Sequence, residues 1–451
     1  MPRASNAKPN QMPGFPTDSG RRILFFGEAV TLAHVLRPLG LAVGLQKRGW
    51  TVAMACDPRH GQTVRDAGIR HVPVATIDSA LFLRRAYWGR PLYRRREIRV
   101  CVQDDLRAIA AFKPDIVAGD FRLSLAISAE LAGIPHVKLS NVHWSPALRR
   151  SLPLPDHPMI RFFGIRLAEL LMKCALPIVL RVSGRVFNRV RRDVGLPPAC
   201  DGMQALYTQG DRTLYLDIPE LYDAESLSET EECIGPVQWT PQGRLPAWWA
   251  RIPRDRPALF VSPGSSGDTE SMLTTLRALA ALPATVLLAT AGCLPADVPL
   301  PANVFAADFI PAAAGAERAD AMICNGGSCM VYHALAAGIP LLGLPYNADQ
   351  YHVMRAVERK GFGLTIRSGQ VTEQRVKTAV QALLKMPAYR ERATALREKL
   401  AECDPAAALA RTAAALLERP PRRRQVWQRQ NSGLSGLGWG WGFSPENDLA
   451  P

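Results

Sequence analysis

The sequence predicts an α/β protein with two domains, each built on its own parallel sheet. Short apolar segments alternate with segments of helical periodicity in two successive blocks, 23–141 and 258–366. Such alternation is typical of parallel strands covered by helices on both faces. The proline-rich segment 240–257 separates the blocks and is typical of a domain connector. A chain of 451 residues that is 47% hydrophobic can bury two cores, which excludes a disordered protein.

The first block opens on a short apolar strand followed by a helix that ends at a glycine. Its strands are predicted at 23–26, 51–56, 71–75, 115–120 and 136–141, and its helices at 31–49 and 124–133. The chain then becomes helical and basic over 145–210, with short extended pieces at 213–217 and 234–239.

The second block repeats the alternation. Its strands are predicted at 258–262, 285–290, 303–309, 320–324, 340–345 and 363–366. Helices are expected up to about residue 282, over 329–337, from Gln350 onward, and throughout 372–418.

Composition divides the chain into five predicted segments. These are a disordered N-terminal tail (1–20), an N-terminal domain (21–240), a C-terminal domain (241–386), C-terminal helices that are candidates to cross back to the first domain (387–418), and a disordered basic and Gly/Trp-rich tail (419–451).

The charge balance is basic, with 55 Lys and Arg against 40 Asp and Glu and a net charge of +15. The arginine tracts 94–96 and 422–424 are not interleaved with regular aromatics, so basic helix faces are favoured over a nucleic-acid surface. Segment 162–187 carries too many charges for a membrane span. It predicts an amphipathic helix pair that packs on the fold or makes peripheral contact with a membrane.

Nine cysteines without a CxxC pair or a zinc-like cluster predict reduced thiols. The first twenty residues have no apolar core of the kind a secretory signal needs. Both features predict a cytoplasmic protein without a metal site.

Two glycine-containing loops follow predicted strands and open helices. They are SPGSSGD at 262–268 and NGGSCM at 325–330. Glycines at such places let backbone N–H groups approach a phosphate, although an ordinary strand-to-helix turn would look the same. Further on, Asp349 and Gln350 could bind sugar hydroxyls or simply cap a helix.

At this point the sequence resembles a known family, the nucleotide-sugar-dependent glycosyltransferases of family 1. Their HGGxGT, xxEAL, xxGVP, apolar strand, proline and DQ pattern reads here as NGGSCM, VYHAL, AAGIP, LLGLP and YNADQ. DFIP (308–311), VSPGSS (261–266) and AHVLRPLGLAVGLQKRGWTV (33–52) resemble three further family segments. The resemblance covers about 20–418 and implies the GT-B fold, in which two Rossmann-like domains face each other across a cleft.

The resemblance places a nucleotide-sugar donor on the C-terminal domain. The donor-binding residues that it implies are Gly264, Ser265, Ser266, Phe309, Ile310, Asn325, Gly326, Gly327, Ser328, Cys329, His333, Asp349 and Gln350. Asn325 stands where the family has a phosphate-binding His, and Cys329 and Met330 replace small and hydroxyl residues. His333 replaces the acid that binds the ribose hydroxyls, so the nucleotide is left open: UDP is the family default, and dTDP and GDP are alternatives.

The resemblance also assigns His34 as general base and Asp120 as its partner. Glu28, His143 and Trp144 are expected near the acceptor, and Glu28 is the next candidate base. Without the resemblance, His34 packing within its helix and Asp120 capping helix 124–133 would be the simpler interpretation.

The resulting hypothesis is an inverting transfer of a hexose-type sugar to a hydroxyl of a hydrophobic small-molecule or lipid acceptor. No cofactor or metal is expected. A non-hydrolysing sugar-nucleotide epimerase and a catalytically silent nucleotide-sugar-binding homologue are the alternatives. A Rossmann dehydrogenase is disfavoured, because GEAVTLA after the first strand lacks the glycines of GxGxxG.

Overall fold

The computed structural model describes residues 20–148, 159–199, 202–224, 227–241, 243–264, 269–292, 294 and 299–418. The tails predicted at 1–20 and 419–451 lie outside the described residues, apart from Gly20. The described chain forms two parallel sheets flanked by helices, so the α/β prediction is confirmed.

The N-terminal sheet has seven strands in the order β3-β2-β1-β4-β5-β6-β7, and every neighbouring pair is parallel. These strands are β1 (Arg22–Gly27), β2 (Thr51–Cys56), β3 (Arg70–Pro73), β4 (Ile116–Asp120), β5 (His136–Ser140), β6 (Arg212–Tyr215) and β7 (Glu231–Cys233).

The C-terminal sheet has six parallel strands in the order β10-β9-β8-β11-β12-β13. These strands are β8 (Ala258–Ser262), β9 (Thr285–Ala289), β10 (Val304–Ala307), β11 (Ala321–Cys324), β12 (Leu341–Gly343) and β13 (Gly363–Thr365).

Helices connect the strands and cover both sheets. The N-terminal half contains α1 (Ala33–Gln46), α2 (Gly61–Asp66), α3 (Ser79–Tyr87), α4 (Arg95–Phe112), α5 (Leu125–Ala132), α6 (Met159–Asp193), α7 (Met203–Leu206) and α8 (Pro219–Tyr222). The C-terminal half contains α9 (Thr269–Ala280), α10 (Ala312–Arg318), α11 (Ser328–Ala337), α12 (Ala348–Lys360), α13 (Glu373–Lys385), α14 (Pro387–Ala401) and α15 (Pro405–Glu418).

Strand register places the functional loops. β1 and β4 pair with Gly27 opposite Asp120, so the loops that follow these strands leave the sheet side by side. In the second sheet Ser262 lies opposite Cys324, which places the two glycine-containing loops next to each other. Ligands of open parallel sheets bind at such carboxyl edges.

Apolar packing joins the two halves. α15 lies against α1, and its buried Leu409 belongs to the N-terminal core. In the other direction, Val142, Tyr215 and Tyr222 of the first half pack into a core formed mainly by the second. The C-terminal helices therefore contact both halves.

Several predicted boundaries differ from the structure by a few residues, and two of them have a clear physical reason. The extended piece expected at 234–239 is preceded by the real edge strand β7, whose residues Glu231–Cys233 carry no apolar run to mark it. α12 begins at Ala348 rather than at Gln350, because the Asn347 side chain accepts from the Gln350 backbone N–H and caps the helix two residues earlier.

Candidate active site

The carboxyl edge of the N-terminal sheet brings His34 and Asp120 together. His34 Nδ1 lies 2.9 Å from Asp120 Oδ1. The Asp120 side chain is 1% exposed and that of His34 is 21% exposed. The His34 ring stacks on Phe121 with a centroid separation of 4.8 Å. The pair is therefore fixed on its buried side while the imidazole remains accessible.

Arg37, one helical turn after His34, is the third member of this cluster. Its guanidinium donates to both carboxylate oxygens of Asp120, each over 2.8 Å, and Nη2 lies 3.2 Å from His34 Nδ1. Burial opposes ionisation of Asp120, but Arg37 and His34 outweigh it and lower the pKa of Asp120 to about 2. The carboxylate is therefore charged at neutral pH. When Nδ1 carries the imidazole proton and donates it to Asp120, Nε2 carries the lone pair.

A chain of buried hydrogen bonds continues from Arg37 into the second half of the molecule. Arg37 Nη1 donates to Asn141 Oδ1 over 2.6 Å, and Asn141 Nδ2 donates to Asp217 Oδ2 over 3.0 Å. The Tyr332 hydroxyl of α11 donates to the other Asp217 oxygen over 2.9 Å. All four residues are at most 4% exposed. Buried hydrogen bonds therefore connect the His34–Asp120–Arg37 cluster to helix α11.

The loop between β11 and α11 has the geometry of an anion site. The Gly327 N–H donates to Asn325 Oδ1 over 3.1 Å, and Gly326 has φ 74°, a conformation that favours glycine. α11 then begins at Ser328, where the first N–H groups of a helix and its dipole favour a negative charge. A Cβ on Gly264 would lie 2.6 Å from Asn325 Nδ2, so the loop after β8 approaches the same place.

Asp349, in the first turn of α12, is bound from the other half of the molecule. His143 Nε2 lies 2.8 Å from Asp349 Oδ1, and the Trp144 indole N–H donates to the same oxygen over 3.2 Å. Desolvation opposes ionisation of Asp349. The hydrogen bond and charge of His143, together with the smaller contributions of the His34 and Arg37 charges, outweigh it and lower the pKa of Asp349 below its ordinary range. The Asp349 side chain is still 43% exposed.

Comparison with known proteins identifies the family. Residues 273–416 match the family model described as the erythromycin biosynthesis protein CIII-like C-terminal domain. A PGL/p-HBAD biosynthesis rhamnosyltransferase of Mycobacterium bovis is 41% identical over 395 residues, which span 88% of this chain and 87% of that protein. The chain belongs to the family-1-like GT-B glycosyltransferases.

Solved structures agree with the GT-B fold of this glycosyltransferase. The calicheamicin glycosyltransferase CalG4 gives a TM-score of 0.64 at 23% identity, over 89% of this chain and 99% of that one. The spinosyn rhamnosyltransferase SpnG complexed with thymidine diphosphate gives a TM-score of 0.62 at 18% identity, over 87% of this chain and 99% of that one. The predicted fold and the predicted enzyme class are thereby confirmed.

Several donor residues predicted for this glycosyltransferase lie around the β11–α11 loop. His333 is buried within α11, and burial lowers its pKa to about 4, so the ring is neutral. Burial raises the pKa of the Cys329 thiol, which the Arg37 charge offsets only in part. Phe309 is 46% exposed whereas Ile310 is in the core. Ser265 and Ser266 lie outside the described residues.

Two predicted site residues have other partners in the structure. Glu28 is 1% exposed, and its carboxylate accepts from Arg122 over 2.8 Å and from the Ile77 N–H over 3.0 Å, so it lies in a buried ion pair. The Gln350 side-chain oxygen accepts from the backbone N–H groups of Tyr346 and Asn347. Gln350 is therefore part of the α12 cap, because the helix starts earlier than the sequence predicts.

Four residues of this hydrogen-bond chain were not predicted from the sequence: Arg37, Asn141, Asp217 and Tyr332. One signal was available for Arg37, a charged residue three positions after His34 in the otherwise apolar helix segment AHVLRPLGLAVGLQ. The others reach the cluster through tertiary contacts that no local spacing reveals.

Two further observations concern metals and membranes. In the described ranges, no group of three or more His, Cys, Asp or Glu side chains is arranged to hold a metal ion. None of the helices within the same ranges is both long and apolar enough to cross a bilayer.

Proposed function

We propose that this glycosyltransferase inverts the anomeric centre of a dTDP-activated deoxyhexose while transferring it to an acceptor hydroxyl. The observation that carries the proposal is the His34–Asp120–Arg37 cluster at the sheet edge, whose charges act on Asp349 of the opposite half. A base on one side of the cleft and a sugar-binding carboxylate on the other fit a single displacement. An epimerase would need no such acceptor-side base, so glycosyl transfer is favoured.

In this proposal His34 Nε2 takes the proton of the acceptor hydroxyl as its oxygen attacks the anomeric carbon. Asp120 orients the ring and stabilises the imidazolium that forms. The bond from the anomeric carbon to the diphosphate breaks on the opposite face. The negative charge of the leaving group is stabilised at the start of α11 by N–H groups that are already in place.

Asp349 is proposed to accept hydrogen bonds from the sugar hydroxyls. Its Oδ1 is bound by His143 and Trp144, which fix the carboxylate before the donor arrives. Gln350 is left out of the sugar site, because its side-chain oxygen is used in the cap of α12.

The proposed nucleotide is dTDP rather than the UDP expected from the family pattern. A neutral, buried His333 stands where the family-1 pattern has the acid that binds the ribose hydroxyls. The deoxyribose of dTDP lacks the 2′-hydroxyl, so it needs one hydrogen-bond acceptor fewer. The name of the rhamnosyltransferase relative and the thymidine diphosphate in the SpnG structure support the same choice.

The nucleotide is tested with His333→Glu. Wild type is expected to use dTDP-rhamnose with a higher kcat/KM than any UDP-sugar. The variant should raise the UDP-to-dTDP ratio of kcat/KM by about tenfold, the value of one hydrogen bond to a charged group. A wild type that prefers UDP-sugars, or a ratio unchanged in a folded variant, would contradict the nucleotide assignment.

The base is tested with His34→Ala. Turnover should fall by ~10²–10⁴-fold, with donor affinity unchanged, because only proton transfer is lost. His60→Ala is the matched control, because His60 is a half-buried histidine of the same domain that stands at the N-cap position of α2 without a side-chain cap hydrogen bond. The anomeric configuration of the product, read by NMR, should be opposite to that of the donor. Wild-type turnover in His34→Ala, or retained configuration, would refute the mechanism.

The acceptor is proposed to be a hydroxyl on a hydrophobic small molecule or a lipid, and the transfer to be independent of metal ions. The start of α11 supplies the charge stabilisation that a divalent ion would otherwise provide. Transfer should therefore continue at an unchanged rate in EDTA. If EDTA abolishes activity and manganese or magnesium restores it, metal independence is contradicted. The proposed role of His34 would not be affected by that result.

A further inference from the structure

One helix of the N-terminal half has an apolar face that no other described residue covers. In α6, Leu167, Leu170, Leu171, Cys174, Ile178 and Val182 form what we call the α6 stripe. All six are exposed, with Ile178 at 62% and Leu170 at 57%. Their spacing of three and four residues places them on one side of the helix. The stripe is about 22 Å long from Leu167 to Val182, at the rise of an α-helix.

The opposite side of α6 is the one that packs on the protein. Ala168, Ser183, Phe187 and Val190 are all buried. Phe187 and Val190 belong to a core cluster that also contains residues of α3 and α4. The exposure of the stripe therefore does not result from a loosely placed helix. It is the outer face of an element that is held from its inner face.

The charge around the stripe is strongly positive. α6 carries eight Lys and Arg against two acidic residues. Arg185, three residues after Val182, and Arg192, two helical turns further on, continue the line of the stripe toward the end of the helix, and both are exposed. Residues 84–99, which include parts of α3 and α4, add seven arginines and one glutamate. An apolar surface bordered by arginines complements a bilayer with anionic headgroups.

The stripe adjoins the mouth of the cleft. A Cβ on Gly89 would lie 3.9 Å from Val179 of α6, so the end of α3 contacts this helix. Trp88, beside it, is 55% exposed, and tryptophan is enriched at membrane interfaces. On its other side, Tyr87 stacks on Tyr346 of the second half, with ring centroids 6.5 Å apart. Tyr346 lies three residues before Asp349.

We propose that the α6 stripe and Trp88 form a docking surface for an anionic lipid bilayer. Apolar side chains enter the interface, and the arginines contact the headgroups. Docked in this way, the protein presents the mouth of its cleft to the membrane. The proposal goes beyond the proposed function and does not depend on it, although a lipid acceptor would then reach His34 directly from the bilayer.

The experiment measures vesicle binding by the full chain in co-sedimentation. Vesicles of phosphatidylcholine with phosphatidylglycerol are compared with phosphatidylcholine alone. Wild type should bind the anionic vesicles, and 0.5 M salt should weaken binding, because the arginine contribution is screened. The triple variant Leu167→Ser, Leu171→Ser, Ile178→Ser should bind about tenfold less tightly or weaker, since it loses three inserted side chains.

A matched triple variant controls for exposed apolar surface elsewhere. Leu245, Leu300 and Met386 are exposed to 45%, 40% and 51% and lie in the connector or the C-terminal half, away from α6. Their change to serine should leave vesicle binding as in wild type. Both triple variants should keep the melting temperature and the turnover with a soluble acceptor, which separates this test from the proposed function.

Several results would overturn the proposal. One is stripe-variant binding equal to wild type, and another is equal loss in the matched control. Wild-type binding to neutral vesicles as tight as to anionic ones would remove the role of charge. If the wild type is a dimer and the stripe variant a monomer, the α6 stripe would be the interface with a second copy of this chain. A melting temperature lowered by several degrees would show that the chain itself covers it.

Discussion

At the scale of single residues, Arg37 sets the state of the catalytic pair. Its guanidinium donates a hydrogen bond to each carboxylate oxygen of Asp120, whose other side-chain partner is His34. A buried carboxylate without a cation is costly, so Arg37 acts as a positioning residue as well as a source of charge. The folded-state pKa of Asp120 near 2 lies below that of a free Asp, so this stabilisation is present above about pH 4. It is lost as the pH falls through about 2.

Replacing Arg37 by methionine should lower the free energy of unfolding at pH 7 by ~3–5 kcal/mol, because the Asp120 charge remains buried and loses its main partner. Urea unfolding measures the loss. The double variant Arg37→Met, Asp120→Asn removes the charge as well and should recover part of the stability. A single variant as stable as the double variant would show that Asp120 is not charged in the folded protein.

A second residue-scale consequence concerns His136 on β5. Burial and the nearby Lys138 lower its pKa to about 3, and its Nε2 has no hydrogen-bond partner among the described residues. The unfolded chain takes up a proton near pH 6.5 and the folded chain does not. The neutral state therefore stabilises the fold above pH 6.5, and stability falls as the pH drops from there toward 3.

His136→Leu should remove this dependence. Between pH 7 and pH 5 the wild type should lose about 2 kcal/mol through His136, at about 1.4 kcal/mol per pH unit below 6.5. The variant should lose correspondingly less, as measured by urea unfolding at both pH values. Identical slopes in the two proteins would mean that His136 is protonated, or free to leave its site, in the folded state.

At the scale of elements, the start of α12 decides where Asp349, the proposed sugar-binding carboxylate, lies. Asn347 and Gln350 form a reciprocal capping box, with Asp349 between them in the first turn. The geometry of the donor site is therefore set by a local helix signal. A weaker cap would leave Asp349 on a fraying turn.

Asn347→Ala should cost about 1 kcal/mol of stability and raise the KM for the donor, because the first turn of α12 loses its cap. Thr372→Ala is the control, since Thr372 accepts from the Arg375 N–H and caps α13 in the same way. The control should show a similar stability loss with an unchanged KM. Equal effects on the donor KM in both variants would show that the position of Asp349 does not affect donor binding.

The elements also show what the sequence could predict. β2 and β8 were predicted residue for residue, because each is a continuous buried apolar run with clear ends. The extended piece near β7 was predicted too late in the sequence, since an edge strand made of Glu, Glu and Cys has no such pattern. The His34–Asp120 contact was predicted from a family motif. Arg37 and Tyr332 were not, because their partners lie far away in sequence and only the packing of two domains brings them together.

At the scale of the whole molecule, the C-terminal helices join the two halves. α14 packs on α11, whereas α15 packs on α1, the helix that carries His34 and Arg37. The chain of buried hydrogen bonds from Arg37 to Tyr332 connects α1 with α11. Movement of one half relative to the other must therefore strain both connections.

Leu409→Ala should destabilise the protein by ~2–5 kcal/mol and also loosen the two halves, because it opens a cavity between α15 and α1. Leu383→Ala is the control, as Leu383 is equally buried but lies in a core made only of the second half. Thermal unfolding should detect both losses. Small-angle scattering should find a larger radius of gyration only for Leu409→Ala, and equal radii would mean that α15 does not restrain the halves.

The contact between Trp144 and Asp349 has a practical consequence. The indole N–H donates to the carboxylate proposed to bind the sugar, so the molecule carries a natural fluorophore within hydrogen-bond distance of its proposed sugar-binding residue. Donor arrival should change the emission of this one indole out of nine tryptophans, and Trp144→Phe identifies its share of the signal. Stopped-flow fluorescence on the unlabelled protein can then time donor capture separately from the chemical step.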